Sequence, residues 1–593
     1  MLKKIIIDYL KNKQISPSKD FVDFLEYNIG KISFLNKSTI NNIQHINSIE
    51  ELAYSLDNMF SDTERKSNGI YFTPAILVDV MTSYSIKLSS DSNIPDVLDP
   101  AVGSGIFLLN VAKKISESFQ ISITQVIENH LFGIDIIGDN TFLSKILLGT
   151  LAFEMENTVP KKFNIIQYNS LEISEEILNS LFSKSTFDII ISNPPYVSGE
   201  RISSDTKQLL KRYSNTVYGN PDLYIPFFEL TINLLKPSGI GALITPNSYF
   251  RSMNGKKLRS FLRAQTSSIR LINFNSDLVF DNISHYSAIN FFVKKRDDTQ
   301  KNKMFFLSNY NKGINLNNFN WLPISPSDSW HTLNQIEKNI IKKLENLSPT
   351  TLDDFKFQNG IATQRNNIFS FRYLREDEKY YYFEKKSNEY QIEKEITRPF
   401  VLPNKTFRDQ KLRIIFPYYY NAHNESITPI TPNEMLEKFP LALKYLNNFK
   451  DELSKRKYDK NMLYWYLYGR SQGLKQYGPR LYIPYMANTV NTSISSTDDE
   501  VFAAGYAIFS DSLITLSTIA KILESKLFSF YISRVSKPYS SGYFSTAKNM
   551  IKDFSIPDYK TFEGLNLEEL TTESLYNLYK LNSEEIAYIE TVC

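Results

Sequence analysis

The sequence predicts an α/β fold: a doubly wound, mostly parallel sheet with a helical segment ahead of it and a separate α+β part behind it. Three observations carry this. Short apolar runs rich in β-branched residues alternate with helix-like patterns between Val97 and Val293, the alternation that builds such a sheet. Acidic, glycine or amide residues recur at the C-terminal ends of those runs, where open α/β sheets take their ligands. Beyond an amphipathic stretch at Ile336–Leu347 the pattern changes to short strands, Tyr clusters and scattered basic residues. The expected layout is a helical segment over 1–65, the sheet domain over 66–300, a linker and helix over 301–350, and a further domain over 351–593.

In the first segment, apolar residues at helical spacing (Phe21, Phe24, Leu25, Ile29; Ile49, Leu52, Ala53, Leu56) predict several short helices. A search there for an Asp…Glu-x-Lys nuclease pattern finds only Glu64-Arg65-Lys66, with Asp57 too close to partner it. Next, Phe72-Thr73-Pro74 runs into a helical pattern (Ile76, Leu77, Val80, Met81), with Thr73 read as N-cap and Pro74 as first helical residue. A short strand then ends in Asp99 and enters the loop Pro100-Ala101-Val102-Gly103-Ser104-Gly105. Glycines there let the backbone approach a ligand closely. No Gly-Lys-Ser/Thr follows, so this is not a phosphate-cradling loop of the Walker type. A carboxylate facing a glycine loop suits a cationic or amine-bearing ligand, and S-adenosylmethionine fits. The second strand, Leu131–Ile136, carries Asp135 at its tip, placed to accept both hydroxyls of a ribose. A helix over Thr141–Phe153 and a third strand, Phe163–Gln167, lead to the turn Asn169-Ser170-Leu171.

The fourth strand, Phe187–Ile191, runs into Ser192-Asn193-Pro194-Pro195-Tyr196. Two prolines cannot extend a ladder, so the chain makes a stiff corner at the C-terminal end of the sheet. The corner offers the Asn193 side-chain oxygen and the Pro194 carbonyl as acceptors, and the Tyr196 ring as a stacking face. An amine conjugated to an aromatic ring is a poor nucleophile because its lone pair is delocalised. Two acceptors facing its N–H bonds draw the nitrogen toward tetrahedral geometry, a gain from positioning and fixed dipoles. A helix over Ile225–Leu235, the turn Lys236–Gly239, a strand at Ile240–Thr245 and a closing hairpin of Ile269–Phe274 with Tyr286–Val293 complete the sheet; Phe280 lies in the loop between the last two. Asn309–Trp330 reads as linker.

Composition narrows the class. The chain has 593 residues, 42% hydrophobic and 22% charged, with a net charge of only +3. Charge is nonetheless uneven: Val401–Tyr485 holds 14 Lys/Arg against 7 Asp/Glu, an excess of 7. Such a basic, Tyr-rich stretch suits phosphate contact and base stacking, and the aromatic content of 14% offers stacking surface. The single cysteine, Cys593, excludes an intrachain disulfide, and neither it nor the five histidines shows metal-ligand spacing, so no metal is expected. No apolar run reaches bilayer length, which predicts a cytoplasmic protein without a membrane partner.

In this order, Phe72-Thr73-Pro74, Asp99-Pro100-Ala101-x-Gly103-Ser104-Gly105-x-Phe107, Gly133-Ile134-Asp135 and Asn193-Pro194-Pro195-Tyr196 resemble the N6-adenine DNA methyltransferases of the gamma (TaqI-type) arrangement, over about Gly69–Lys295. Weaker matches (Gly360-Ile361-Ala362-Thr363, Tyr464–Tyr466 with Gly469–Gln472, and Ser536–Phe544) resemble that family's C-terminal specificity domain. The resemblance implies a Rossmann-like sheet, S-adenosylmethionine as cofactor, and an adenine flipped from duplex DNA and methylated at N6 within a restriction-modification system. It implies a monomer with a cognate restriction endonuclease acting separately. Asn193, Pro194, Pro195 and Tyr196 are then catalytic, and Tyr196 and Phe280 stack on the base. Phe72, Thr73, Pro74, Asp99, Pro100, Ala101, Gly103, Gly105, Asp135, Ile136, Asn169, Ser170 and Asn193 line the cofactor, with Asn169 standing where the family usually has Asp. Lys405, Arg408, Arg470, Lys475 and Arg480 are candidate DNA contacts. Two other readings remain open: a protein glutamine N5-methyltransferase, which also uses Asn-Pro-Pro-Tyr, and a non-catalytic DNA-binding subunit with a methylase-like fold.

Overall fold

In the computed structural model the chain divides into two compact units, Met1–Thr332 and Leu333–Cys593. The structure describes residues 2–33, 46–57, 73–89, 93–274, 287–307, 319–322, 330, 333–403, 409–420, 427–456, 458–459, 463–475, 478–497, 499–537, 539, 542–557 and 570–593.

The first unit is built on one mixed sheet. Its strands are β1 (Val97–Asp99), β2 (Leu131–Asp135), β3 (Asn164–Gln167), β4 (Phe187–Ser192), β5 (Leu235–Pro246), β6 (Thr266–Asn273), β7 (Ser287–Lys294), β8 (Lys303–Leu307) and β9 (Asn320–Leu322). They lie in the order β3-β2-β1-β4-β5-β7-β6-β8-β9. From β3 through β5 all pairs are parallel; β7 runs antiparallel between β5 and β6. The chain therefore leaves β1 in one direction and returns to β1's other side at β4, which opens a crevice at the C-terminal ends of both. The centre is β4, whose Ile189, Ile190 and Ile191 are at most 1% exposed. Each such side chain contributes roughly 1.5–3 kcal/mol by burial, which explains the absence of a polar face.

Helices cover the sheet. The helix Gly138–Glu156 packs so closely on the N-terminal segment that a side chain at Gly149 would strike the Phe24 ring. Phe21 stacks on Phe153 at 4.3 Å between ring centres, and the Tyr9 hydroxyl donates to Glu154 at 2.6 Å. The helices Leu2–Asn12, Lys19–Ile29 and Ile49–Asp57 thus share the sheet's core.

The structure differs from the sequence expectation at three places. The hairpin of β6 and β7 forms but does not end the sheet, because β8 pairs with β6 and β9 with β8. Part of the stretch read as linker is therefore strand. Lys236–Gly239, expected as a turn between helix and strand, lies inside β5. An irregularity in the β4–β5 register absorbs it, with Ser238 left-handed at φ 66°. The helix after Thr73 starts at Ala75 with Pro74 as its N-cap and no side-chain cap.

The second unit has small sheets instead of one large one. One four-stranded sheet runs Lys356–Asn359, Gly505–Phe509, Arg480–Pro484, Ser493–Ser495, and another runs Ser370–Arg372, Leu412–Ile415, Thr397–Val401, Val501–Phe502. The helices Gln335–Glu345, Leu513–Leu523, Lys526–Val535 and Ser583–Val592 share a separate apolar core. Much of the tyrosine surplus is interior rather than stacking surface. Tyr445, Tyr466, Tyr468 and Tyr579 are buried and donate to the carbonyls of Ile368, Ile430, Ile415 and Ser555 at 2.7–2.8 Å. Short strands leave carbonyls outside any ladder, and a buried phenol fills space while satisfying one.

Candidate functional site

The sheet order brings β2, β1 and β4 side by side, so Asp135, Asp99 and Asn193 all stand at C-terminal ends of neighbouring strands. Asp99 is fully enclosed, and one carboxylate oxygen, Oδ1, accepts from the Ser192 hydroxyl at 2.7 Å and the Ala101 amide at 3.0 Å. Among the described residues, Oδ2 has no hydrogen-bond partner although it too is buried. Burial pushes the Asp99 carboxyl up to about 7, against the two hydrogen bonds that favour its charge and with the Asp135 charge adding to the rise. Asp135 is buried as well and also raised by burial, but it is better satisfied: its oxygens accept from the Gly103 amide at 2.9 Å and the Ile137 amide at 2.8 Å.

The loop between β1 and the helix Ile106–Phe119 needs its glycines for different reasons. Gly103 is left-handed (φ 54°) with open space where a side chain would be, whereas at Gly105 (φ 93°) a Cβ would press on Ser144. The Ser144 hydroxyl donates to the Gly103 carbonyl at 2.8 Å, tying the loop to the neighbouring helix. Ser170 donates to the Pro100 carbonyl and anchors the same loop from the third-strand turn. Beside Asp135, the Ile136 side chain is 63% exposed, an apolar surface next to a carboxylate.

At the corner, the Asn193 Nδ2 donates to the Thr73 hydroxyl at 3.1 Å. This explains the uncapped helix at Ala75: Thr73 serves Asn193 instead of the helix. Tyr196 is 5% exposed and its hydroxyl donates to the Ile244 carbonyl at 3.0 Å, so its ring plane is fixed. Tyr224 meets it edge to face. Asn169 is spent locally, its oxygen accepting from the Leu171 amide at 3.2 Å and its nitrogen donating to Glu172 at 2.8 Å. Phe72, Phe280, Lys405 and Arg408, and with them Glu64-Arg65-Lys66, lie outside the described residues.

Of the remaining candidate DNA contacts, Lys475 is exposed and Arg470 is exposed but paired with Asp459 at 2.7 Å. Arg480 must be withdrawn. It is 1% exposed in the middle of a sheet, donating to the Thr497 carbonyl at 2.7 Å and lying 5.7 Å from the Phe509 ring. Ser192 and Ser144, which sequence reasoning passed over, both support the site. The only sequence signal for Ser192 is a hydroxyl at the end of an otherwise apolar buried strand.

Residues 129–280 match the family model described as Eco57I restriction-modification methylase. This segment contains β2 through β6 and the Asn193 corner. The chain is 28% identical over 378 residues to the type II restriction enzyme and methyltransferase RM.Eco57I of Escherichia coli, covering 58% of this chain and 38% of that protein. It is 25% identical over 349 residues to the type II methyltransferase M.BstVI of Geobacillus stearothermophilus, covering 52% of this chain and 61% of that one. The chain thus spans less than two thirds of either relative. Among solved structures, the type IIL restriction-modification enzyme MmeI in complex with DNA matches with a TM-score of 0.57 at 13% identity, over 91% of this chain and 77% of that chain. At that identity the match establishes the fold alone, a mixed α/β sheet. Among the described residues, no helix is long and apolar enough to cross a membrane.

Proposed function

We infer that the chain transfers a methyl group from S-adenosylmethionine to N6 of an adenine flipped out of duplex DNA, in a restriction-modification setting. The observation that carries this reading is the side-by-side placement of Asp135, Asp99 and the Thr73-held Asn193 at the C-terminal ends of β2, β1 and β4. A partnerless oxygen on an enclosed, proton-hungry Asp99 fits a ligand bearing an ammonium and a sulfonium. The open space at Gly103 admits its backbone-hugging part, Asp135 accepts from the ribose hydroxyls, and Ile136 covers a purine face. Asn169 keeps its oxygen near its own turn, so it contributes less there than an aspartate does. When bound, the cofactor supplies an electrophilic methyl group.

The protein's own part is positioning. Thr73 engages the Asn193 nitrogen, and the Asn193 oxygen, with the Pro194 carbonyl, accepts from the adenine amino group. The lone pair is thereby withdrawn from the ring and aimed at the methyl group. Tyr196, fixed through Ile244, stacks on the base. Flipping costs a few kcal/mol and each stacked ring returns roughly 1–3 kcal/mol, so ring contact and amino-group bonds together offset extrusion. The Leu333–Cys593 unit is assigned to target recognition, and the protein acts on DNA as a monomer beside a separate endonuclease activity.

The direct experiment gives the purified protein duplex DNA and methyl-labelled S-adenosylmethionine. Label in N6-methyladenine is expected, and Asn193→Ala is expected to lower the rate roughly 100- to 1,000-fold while cofactor affinity survives. Label on a polypeptide instead of DNA overturns the reading in favour of a protein methyltransferase.

A further inference from the structure

The second unit contains an open concavity of about 650 Å³ that no part of the methyl-transfer site uses. Its lining includes Thr363, Gln364, Arg365, Glu452, Gln472 and Tyr485. Two segments far apart in sequence are laced together to make it. The Gly469 and Arg470 amides donate to the Thr363 and Ala362 carbonyls at 3.3 and 3.2 Å, and the Gln472 side chain donates to the Gly360 carbonyl at 3.0 Å. Behind this lacing sits Arg456, 6% exposed, whose guanidinium donates to the carbonyls of Leu453, Thr363, Trp465 and Leu467 at 2.7–2.9 Å. A buried charge that holds four carbonyls, and lies over the Phe369 and Tyr458 rings, makes the rim rigid.

The rim is also strained. Gln364 is left-handed at φ 61° and Ala504, on the same lining, at φ 58°, a conformation that side-chain-bearing residues adopt at a cost and that clusters at functional sites. The Gln364 side chain lies across Gly469, where a Cβ would come within 2.5 Å of it. What this strained, braced loop holds up is Arg365, whose Nη1 donates to the Gln364 carbonyl at 2.9 Å and whose Nε makes a charge contact with Glu452 Oε1 at 2.9 Å, both side chains partly in solvent (40% and 45% exposed). An ion pair so placed stabilises a fold little. Its chemistry, however, is that of a base-pair reader: a guanidinium fork matches O6 and N7 of guanine, and a carboxylate accepts from the N4 amine of cytosine.

We propose that Arg365, oriented by Glu452 within this concavity, reads a G·C pair of the DNA sequence that the protein methylates. The proposal rests on the function inferred above. Arg365 acts at the base edge; Glu452 orients it and adds the cytosine-side acceptor; Arg456 and the Gly469–Gln472 strap position both.

The test is to sequence DNA from cells expressing the parent chain, Arg365→Ala, Arg365→Lys or Glu452→Gln, with detection of modified adenines. The purified proteins' binding to site-bearing and scrambled duplexes is measured over a range of salt. The parent is expected to modify a defined sequence containing at least one G·C pair. Arg365→Ala is expected to lose discrimination at one such pair by roughly 5- to 100-fold, with the other positions kept. Arg365→Lys keeps the charge but not the fork, so it too is expected to relax that pair, with the salt dependence of binding unchanged. It decides the matter should the alanine variant fail to fold. Variants that modify the parent sequence with undiminished strictness overturn the proposal and leave the methyltransferase reading intact. So does an Arg365→Ala variant that weakens binding equally on all sequences with a shallower salt dependence, the mark of a phosphate contact. A parent chain that modifies no DNA overturns the underlying function and this proposal with it.

Discussion

Asp96 and Asp99 bracket the same strand, β1, and both are buried, yet they end in opposite electrostatic states. Burial pushes Asp96 up, but bonds from His130 and Lys184, and the charges of Lys184 and Lys236, outweigh it and leave the carboxyl below its usual range. Burial pushes Asp99 up to about 7, and no cation is among its contributing neighbours. At the N-terminal end of β1 the Asp96 carboxylate is matched from within the chain by His130, Lys184 and Lys236. At the C-terminal end, among the described residues, Asp99 has no such cation. A carboxylate held that way costs stability unless something outside the chain completes it, which is why the C-terminal end of the sheet reads as the site and the N-terminal end as structure.

The comparison breaks most sharply at Asp99 itself. Asp99→Asn is expected to weaken S-adenosylmethionine binding roughly 10- to 100-fold, measured by calorimetry, while melting at pH 8 no lower than the parent. A variant that melts lower yet binds normally makes Asp99 a structural residue like its counterpart. Next in size, Asp96→Ala is expected to destabilise the fold by about 1–3 kcal/mol in denaturant unfolding, with cofactor affinity unchanged. Loss of affinity there would erase the distinction between the two ends.

A pH series sharpens the same contrast. With its folded value raised, Asp99 holds a proton in the folded protein that the unfolded chain has released, between the ordinary carboxylate range and about 7. Its contribution to stability therefore falls as pH rises through that window. A cationic cofactor needs the ionised form, so affinity is expected to rise from pH 6 to pH 8, by up to about tenfold per unit below 7. It levels off above that, and Asp99→Asn flattens the profile. The smallest effect is expected at Lys236, 39% exposed and bonded to Asp188 at 2.8 Å. Lys236→Met is expected to cost no more than about 1 kcal/mol, because Lys184 and His130 still serve Asp96.

Much of this molecule was legible in its residues. The buried run ahead of Asn193, the glycine loop after Asp99 and the acid ending β2 each sit where the sequence put them, because an apolar strand ending in a polar or turn-forming residue is a local pattern. The site expectations met the structure unevenly where a residue's partner is distant. Thr73 looked like a helix cap but serves Asn193, 120 positions away. Arg480 looked like surface charge in a basic stretch and is instead walled into a sheet by Phe509 and Thr497. The tyrosines of the second unit looked like stacking surface, and several are core phenols bonded to carbonyls. In each case composition was read correctly and the neighbours were not visible.

By itself, then, the sequence determined the fold class and the order of strand and loop motifs. Those follow from periodicity and from backbone rules that act over a few residues. Only the tertiary structure decided which of two equivalent aspartates receives cations, which arginine is interior, and that Gly360–Gln364 meets Gly469–Gln472 around one concavity. Such outcomes depend on which distant segments share a contact when the chain closes, and no local pattern encodes that.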